Sequence, residues 1–299
     1  SPFRTSSQLF PMCTMFVLPA FLYCLLMELF YHIRKRIGIA SRKTCYNILS
    51  NHDKENPTML QNTPTVYLSR LASPSLQRFL QSNGFQLKSL DVPVVYPEIS
   101  THADILLCQL GLWEKAQIFH GDPEKLTRNY PGNIRYNAVC TGKYFIHNLQ
   151  YTDPDLLAAA EAKAAADSAI LTKIHVKQGY TRCSLLPVDG RSFITSDAGI
   201  AKTLAGHDTD VLLIHPGHIH LPGFDYGFIG GTGGGIPLSG RRLLVVNGNI
   251  ETHPDHKKIA TFIEDRDIDL YYSKNSPLMD IGSILVDAAP KPLQQPAQD

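Results

Sequence analysis

Short apolar runs separated by polar turns set the pattern of this chain, and part of that pattern repeats. Gly142-Lys-Tyr-Phe-Ile, Gly190-Arg-Ser-Phe-Ile and Gly240-Arg-Arg-Leu-Leu each join a glycine, a cation and the start of an apolar run, about 50 residues apart. Thr141, Asp189 and Ser239 precede the three glycines. Each pair therefore reads as a β-hairpin tip in which the glycine takes the positive φ that a side chain resists.

The segments after the three glycines recur as well. The run 193–195 leads to Asp197 as a helix N-cap, a short helix over 198–205 and an apolar strand over 210–214. The run 243–246 leads to His253-Pro254, a helix ending near Glu264 and a strand over 268–272. The run 144–146 leads to Asp153-Pro154, an alanine-rich helix to about Ala169 and a strand over 170–176. Proline suits the first helical turn because its missing N–H would be unpaired there. The predicted unit is strand, turn, strand, helix, strand.

The two ends supply one divided unit. A strand over 65–68, a helix over 73–82 and a strand over 86–90 match its second half, and 280–286 offers a lone first strand. A fifth unit fits between Ala103 and Val139, with strands over 105–109 and 115–119 and a short helix near 123–128. The expected fold class is α/β: a five-bladed α/β-propeller of pseudo-fivefold units, its ring closed by the N- and C-terminal segments. Closure removes the open sheet edges that invite aggregation.

The first 58 residues fall outside this pattern. The apolar run 9–27, interrupted mainly by Thr14 and followed by Arg34-Lys-Arg36, formally suits a membrane anchor with the body on the cytoplasmic side. Pro11 and Pro19 weaken it as a helix, and 44–58 reads as an unpatterned polar linker. The chain starts with serine, and Met59 falls just before the first strand of the pattern. Residues 1–58 are therefore expected to be an extension, from an over-extended frame or as an anchor or signal-like segment with its linker. Residues 59–287 form the expected domain, and the Pro- and Gln-rich residues 288–299 a disordered tail.

Charge and cysteine usage narrow the function classes. Lys and Arg number 28 against 27 Asp and Glu, so a nucleic-acid partner is disfavoured. The 6 cysteines are scattered without a Cys-x-x-Cys pair, which argues against a disulfide framework or a zinc ribbon and for a reducing cytoplasmic setting. No cofactor motif is legible, and a small-molecule ligand is the expected partner.

Candidate chemistry lies where the first strands begin. His102-Ala-Asp104 at a strand entrance, with period-two alternation, places His102, Asp104, Leu106 and Cys108 on one face. An imidazole beside a carboxylate can act as a general base, and the thiol as a nucleophile. The plainer alternatives are a loop-capping His102 and an inert buried Cys108. Asp225 and Tyr226 precede the fourth first strand and Asp280, Gly282 and Ser283 the fifth. Asp280 could equally cap closing backbone. The run Gly230 to Gly235 lacks the ending of a P-loop and fits a tight passage near a crowded axis, with Gly230 and Gly231 as candidate ligand contacts. His215-Pro-Gly-His218-Ile-His220 could offer two imidazoles to zinc, but no nearby Cys or Glu completes the set, and no metal site is assigned.

Several motifs resemble an uncharacterised bacterial family of the pentein, or guanidino-group-modifying enzyme, fold. They are Val66-Tyr-Leu-Ser-Arg70, His102-Ala-Asp-Ile-Leu106, Asp225-Tyr-Gly-Phe-Ile-Gly-Gly231, Asn247-Gly248, His253-Pro-Asp255 and Asp280-Ile-Gly-Ser-Ile284, spread over 63–287. The architecture is similar to that of arginine deiminases, agmatine deiminases and dimethylarginine hydrolases. The resemblance implies carboxylates that hold a guanidinium at the mouth of the axis, a His-x-Asp histidine that shuttles protons and a late cysteine that attacks the guanidino carbon. His102 and Asp104 match the His-x-Asp element. The last cysteine here is Cys183, and the final blade offers only Ser283 in a comparable place.

Two expectations result. One is a hydrolase or deiminase-like enzyme on a small guanidino, amidino or amino compound, with Asp104, Asp225 and Asp280 binding the cation, His102 transferring protons, and Cys108 or a water attacking. The other is a non-catalytic ring that binds a ligand or a protein. Fold alone does not choose between them.

Overall fold

Strand β1 (Thr65–Tyr67) joins the two ends of the domain. It runs parallel to β2 (Gln86–Lys88), reached through helix α1 (Pro74–Ser82), and antiparallel to the last strand, β14 (Leu285–Asp287). The structure is a computed structural model that describes residues 63–288. The apolar run 9–27, the polar linker, Met59 and the tail after 288 lie outside the described residues.

Three further stretches repeat this arrangement. In each, a first strand pairs antiparallel with a second, and a helix returns the chain to a third strand parallel to the second. The first has β5 (Val139–Cys140), β6 (Tyr144–His147), α2 (Pro154–Ala166) and β7 (Thr172–His175). The next has, after the short helix α3 (Thr181–Ser184), β8 (Leu185–Pro187), β9 (Ser192–Thr195), α4 (Ala198–Leu204) and β10 (Asp210–Leu213). The last has β11 (Gly233–Leu238), β12 (Arg241–Val246), α5 (His256–Glu264) and β13 (Asp269–Tyr272). The segment expected as a fifth unit gives β3 (Leu107–Leu110) and β4 (Gln117–His120), followed only by a 3-10 turn at Pro123–Lys125. The described residues thus form a mixed α/β body of four small sheets, β3 adding to the edge of β5, and no sheet closes into a barrel.

Local chemistry accounts for the helix starts. Ser73, Asp153 and Asp197 each accept a backbone N–H of the first helical turn, and Pro74 and Pro154 occupy positions where no N–H is needed. The second strands are buried at nearly every position, and Ile194, Leu244 and Val246 share one apolar cluster with Trp113, Ile259 and Ile263. Among the described residues no helix is long and apolar enough to cross a membrane.

Two expectations about local geometry are corrected. Gly142 (φ 90°) and Gly240 (φ 75°) take the positive φ of a hairpin tip, but Gly190 does not. There the Asp189 carboxylate accepts the N–H groups of Arg191 and Ser192 at 2.8 and 2.7 Å, so a side chain closes the turn instead. The first strands also begin later than the apolar runs suggest. Ala103–Ile105 and Gly230–Thr232 are 3-10 turns and Thr181–Ser184 is helical. Asp104 illustrates the reason: its N–H goes to the Gly282 carbonyl and its carbonyl to the Asn137 amide, which removes it from any strand ladder.

Candidate functional site

The segments leading into β3, β5, β8, β11 and β14 are tied together by buried polar groups. Asp104, on the 3-10 turn before β3, is fully buried. Its Oδ2 accepts the Cys183 thiol at 3.0 Å and the Ser283 hydroxyl. Asn137, just before β5, donates from Nδ2 to the Asp104 carbonyl at 3.1 Å and accepts the N–H groups of Arg182 and Cys183 at 2.8 and 3.3 Å. Arg182 turns its buried guanidinium toward β11, donating to the carbonyls of Gly230 and Gly233, each at 2.8 Å. Ser283 completes the set. It donates its N–H to the Gly231 carbonyl from a left-handed conformation, φ 72°, that non-glycine residues rarely adopt.

Asp280 and His102 stand beside this network. Asp280 accepts the N–H groups of Gly282 at 3.0 Å and Phe228 at 2.9 Å. His102 Nδ1 lies 4.0 Å from Asp280 Oδ1, beyond hydrogen-bond reach, and neither this nitrogen nor Asp104 Oδ1 has a hydrogen-bond partner although both are buried. The glycines make this crowding possible. A Cβ on Gly231 would come within 1.9 Å of Asp280 Oδ1, and one on Gly282 within 2.1 Å of the His102 Cβ.

Burial dominates the electrostatics. It pushes the Asp280 carboxyl up to about 6, against the Phe228 and Gly282 N–H groups and the Arg182 charge, and raises Asp104 as well. It lowers His102, against the pull of Asp104, so the imidazole is neutral near pH 7. The Cys183 thiol is held well above its ordinary value by burial and then by the two carboxylates. Arg182, lowered by burial, supplies a compensating cation. A His nitrogen, the Cys183 sulfur and an Asp280 oxygen lie within 4.8 Å of one another, close enough to hold a single cation.

Of the residues singled out in the sequence, the structure brings His102, Asp104, Asp280, Ser283, Gly230 and Gly231 together. Cys108 does not join them. The 3-10 turn breaks the alternation from His102, and the Cys108 thiol, raised well above its ordinary value by burial, faces the Ala138 carbonyl within an apolar cluster that includes Ile105 and Phe145. Asp225 and Tyr226 lie apart, lining an open cleft of about 400 Å³ with His218, His220, Thr252 and Leu278. The backbone of Asp280 links cleft and cluster, its N–H donating to the His220 carbonyl. His215 is held by Asp255 at 2.7 Å. Asn137, Arg182 and Cys183 carry no local motif that marks them. They occupy the same place before β5 and β8 that Asp104 occupies before β3, so the repeat register points to them once it is applied to every unit.

A protein-family model described as "Family of unknown function (DUF6873)" matches residues 68–285. No curated protein matches the chain. Among solved structures, an amidinotransferase from Microseira wollei in the saxitoxin biosynthetic pathway is similar at 11% identity, over 93% of this chain and 84% of that one, with a TM-score of 0.32.

Proposed function

The chain belongs to this family of unknown function, and from its buried cluster we propose that it is an enzyme acting at the central carbon of a small guanidino or amidino compound, with Cys183 as nucleophile. One observation carries the reading: Asp104 Oδ1 and His102 Nδ1 are buried polar atoms without hydrogen-bond partners, beside a thiol. A buried polar group left unpaired costs about 1–3 kcal/mol. A planar cation rich in N–H groups would satisfy Asp104 Oδ1, and His102 Nδ1 in the Nε2–H tautomer, and bring its carbon to the sulfur. The same reading takes the units as blades of a pentein-like ring with the first strands innermost. The mutual hydrogen bonding of their leading turns supports this, as does the close passage of Gly234 against the Ile284 carbonyl.

In this scheme a bound cation offsets the carboxylates that hold the thiol protonated. Cys183 passes its proton to Asp104, and the sulfur adds to the amidino carbon. One C–N bond then breaks, and the leaving nitrogen takes the proton back from Asp104 and departs as ammonia or an amine. Water adds to the S-amidino cation with His102 accepting its proton. The C–S bond breaks, the sulfur takes the hydroxyl proton of the adduct to re-form the thiol, His102 releases its proton to the departed amine or to solvent, and a ureido or amide product leaves. Gly217 (φ 82°) and Gly223 (φ 85°) lie in the loop beside the cleft.

A second reading, a non-catalytic binding module, draws on the complete burial of Asp104 and the open cleft at Asp225 and Tyr226. Incubation with arginine, agmatine, methylated arginines and simple amidines separates the two. Release of ammonia or amine, with a mass adduct on the Cys183 peptide after acid quench, is expected. Turnover should vanish in Cys183→Ser and persist in Cys108→Ser. No turnover across the panel, or full activity in Cys183→Ser, would overturn the enzyme reading.

A further inference from the structure

We propose that His102, Cys183 and Asp280 form a binding site for Zn2+. Their donor atoms come from three units of the fold, all buried, and converge within 4.8 Å. Zinc–ligand bonds of about 2.0–2.3 Å need only a modest contraction from there. The set is mixed: imidazole nitrogen, thiol sulfur and carboxylate oxygen. That chemistry suits zinc and disfavours magnesium and calcium, which take oxygen ligands.

A second observation is independent of the convergence. His102 Nδ1 is buried without a partner, so in the Nε2–H tautomer it offers a metal a lone pair that no hydrogen bond uses. Binding breaks the Cys183 S–H bond, forms a sulfur–metal bond and releases the proton to solvent. Charge then balances inside the chamber. The metal's two positive charges meet the Cys183 thiolate and the Asp280 carboxylate, while the nearby Arg182 charge offsets the remaining carboxylate of Asp104. Asp104 holds its place through the Ser283 hydroxyl, beside the metal rather than on it. A zinc ion bound here would occupy the Cys183 sulfur and exclude any electrophile from it.

The site is tested on the full chain without substrate, so its outcome does not depend on whether the thiol is catalytic. Protein stripped with a chelator is titrated with Co2+ and then Zn2+. We expect one equivalent of Co2+ to give a thiolate-to-metal charge-transfer band with the visible bands of a four-coordinate ion, displaced by Zn2+. Cys183→Ser should abolish the charge-transfer band, and His102→Gln and Asp280→Asn, which remove direct ligands, should each weaken binding by at least the about 10- to 100-fold that loss of an outer-shell partner costs. His218→Gln and Cys108→Ser should bind as the parent does. X-ray absorption on the zinc-loaded parent, which needs no variant to fold, should show one sulfur at about 2.3 Å. A zinc shell without sulfur, or absence of stoichiometric binding by folded protein, overturns the proposal.

Discussion

Asp104 and Cys183, 79 residues apart in sequence, meet in a 3.0 Å hydrogen bond at the buried junction of two repeat units. Because the same carboxylate oxygen also takes the Ser283 hydroxyl, one side chain holds the starts of three first strands in register. Asp104→Ala would leave the thiol and the hydroxyl without their acceptor and open a small void. It should cost about 3 kcal/mol or more. Asp104→Asn keeps one acceptor oxygen and should cost about half as much. Urea unfolding midpoints of the two variants check the order, and equal losses would mean that the negative charge, and not the oxygen that the amide keeps, carries the contribution.

Ser283 reaches Asp104 from a backbone conformation that penalises any side chain. Two substitutions separate the hydroxyl from the strain. Ser283→Ala loses the hydrogen bond and keeps the left-handed φ, whereas Ser283→Gly loses the bond and relieves the φ. The glycine variant should therefore be about 1 kcal/mol more stable than the alanine variant. Thermal unfolding of the pair reads this directly, and a more stable alanine variant would show that the local backbone relaxes.

The glycine-marked tips are legible in the sequence because they rest on local chemistry, and so are the capped helices at Ser73, Asp153 and Asp197. Pairing of β1 with β14 is legible for a different reason: each end offers half of a pattern seen whole elsewhere. The features that escape are set by long-range contact. Asp104 leaves the strand ladder for Gly282 and Asn137, which no window around residue 104 contains. Cys108 follows Leu106 and Leu107 and Cys183 follows Thr181 and Arg182, but neither neighbourhood names a partner, and only the fold places one beside Ala138 and the other beside Asp104. Asp225 and Tyr226, which begin the family-like run ending at Gly231, line the cleft, whereas Gly230 and Gly231, at the other end of that run, form the 3-10 turn beside the cluster.

The glycine run before β12 gives a steric contrast with a hairpin tip. A Cβ on Gly234 would stand 1.9 Å from the Ile284 carbonyl oxygen, a backbone atom held in place by β14. Gly234→Ala should cost about 3 kcal/mol or more, because the two first strands must separate. Gly190→Ala meets nothing within 4 Å and needs no left-handed φ, so it should be neutral or stabilising by about 0.4–1 kcal/mol. Denaturant unfolding of both variants tests whether the strands pack this tightly.

His147 carries the clearest acid sensitivity. It is buried on β6, with Nε2 donating to the Gly179 carbonyl at 3.1 Å and Nδ1 facing the Thr152 hydroxyl at 2.7 Å. Burial lowers it from 6.5 to about 4, against the pull of that carbonyl. Between these values the unfolded chain binds a proton that the folded chain refuses, so acid favours unfolding. The stabilisation is fully present above pH 6.5 and is lost as the pH falls toward about 4, by about 3 kcal/mol from this group. His147→Gln removes the titration. The variant should be less stable than the parent at pH 7, and the gap should close by that amount on acidification to about pH 4. Unfolding free energies of parent and variant across this range decide the matter: a gap that stays constant with pH would mean that His147 is protonated in the folded protein or exposed to water.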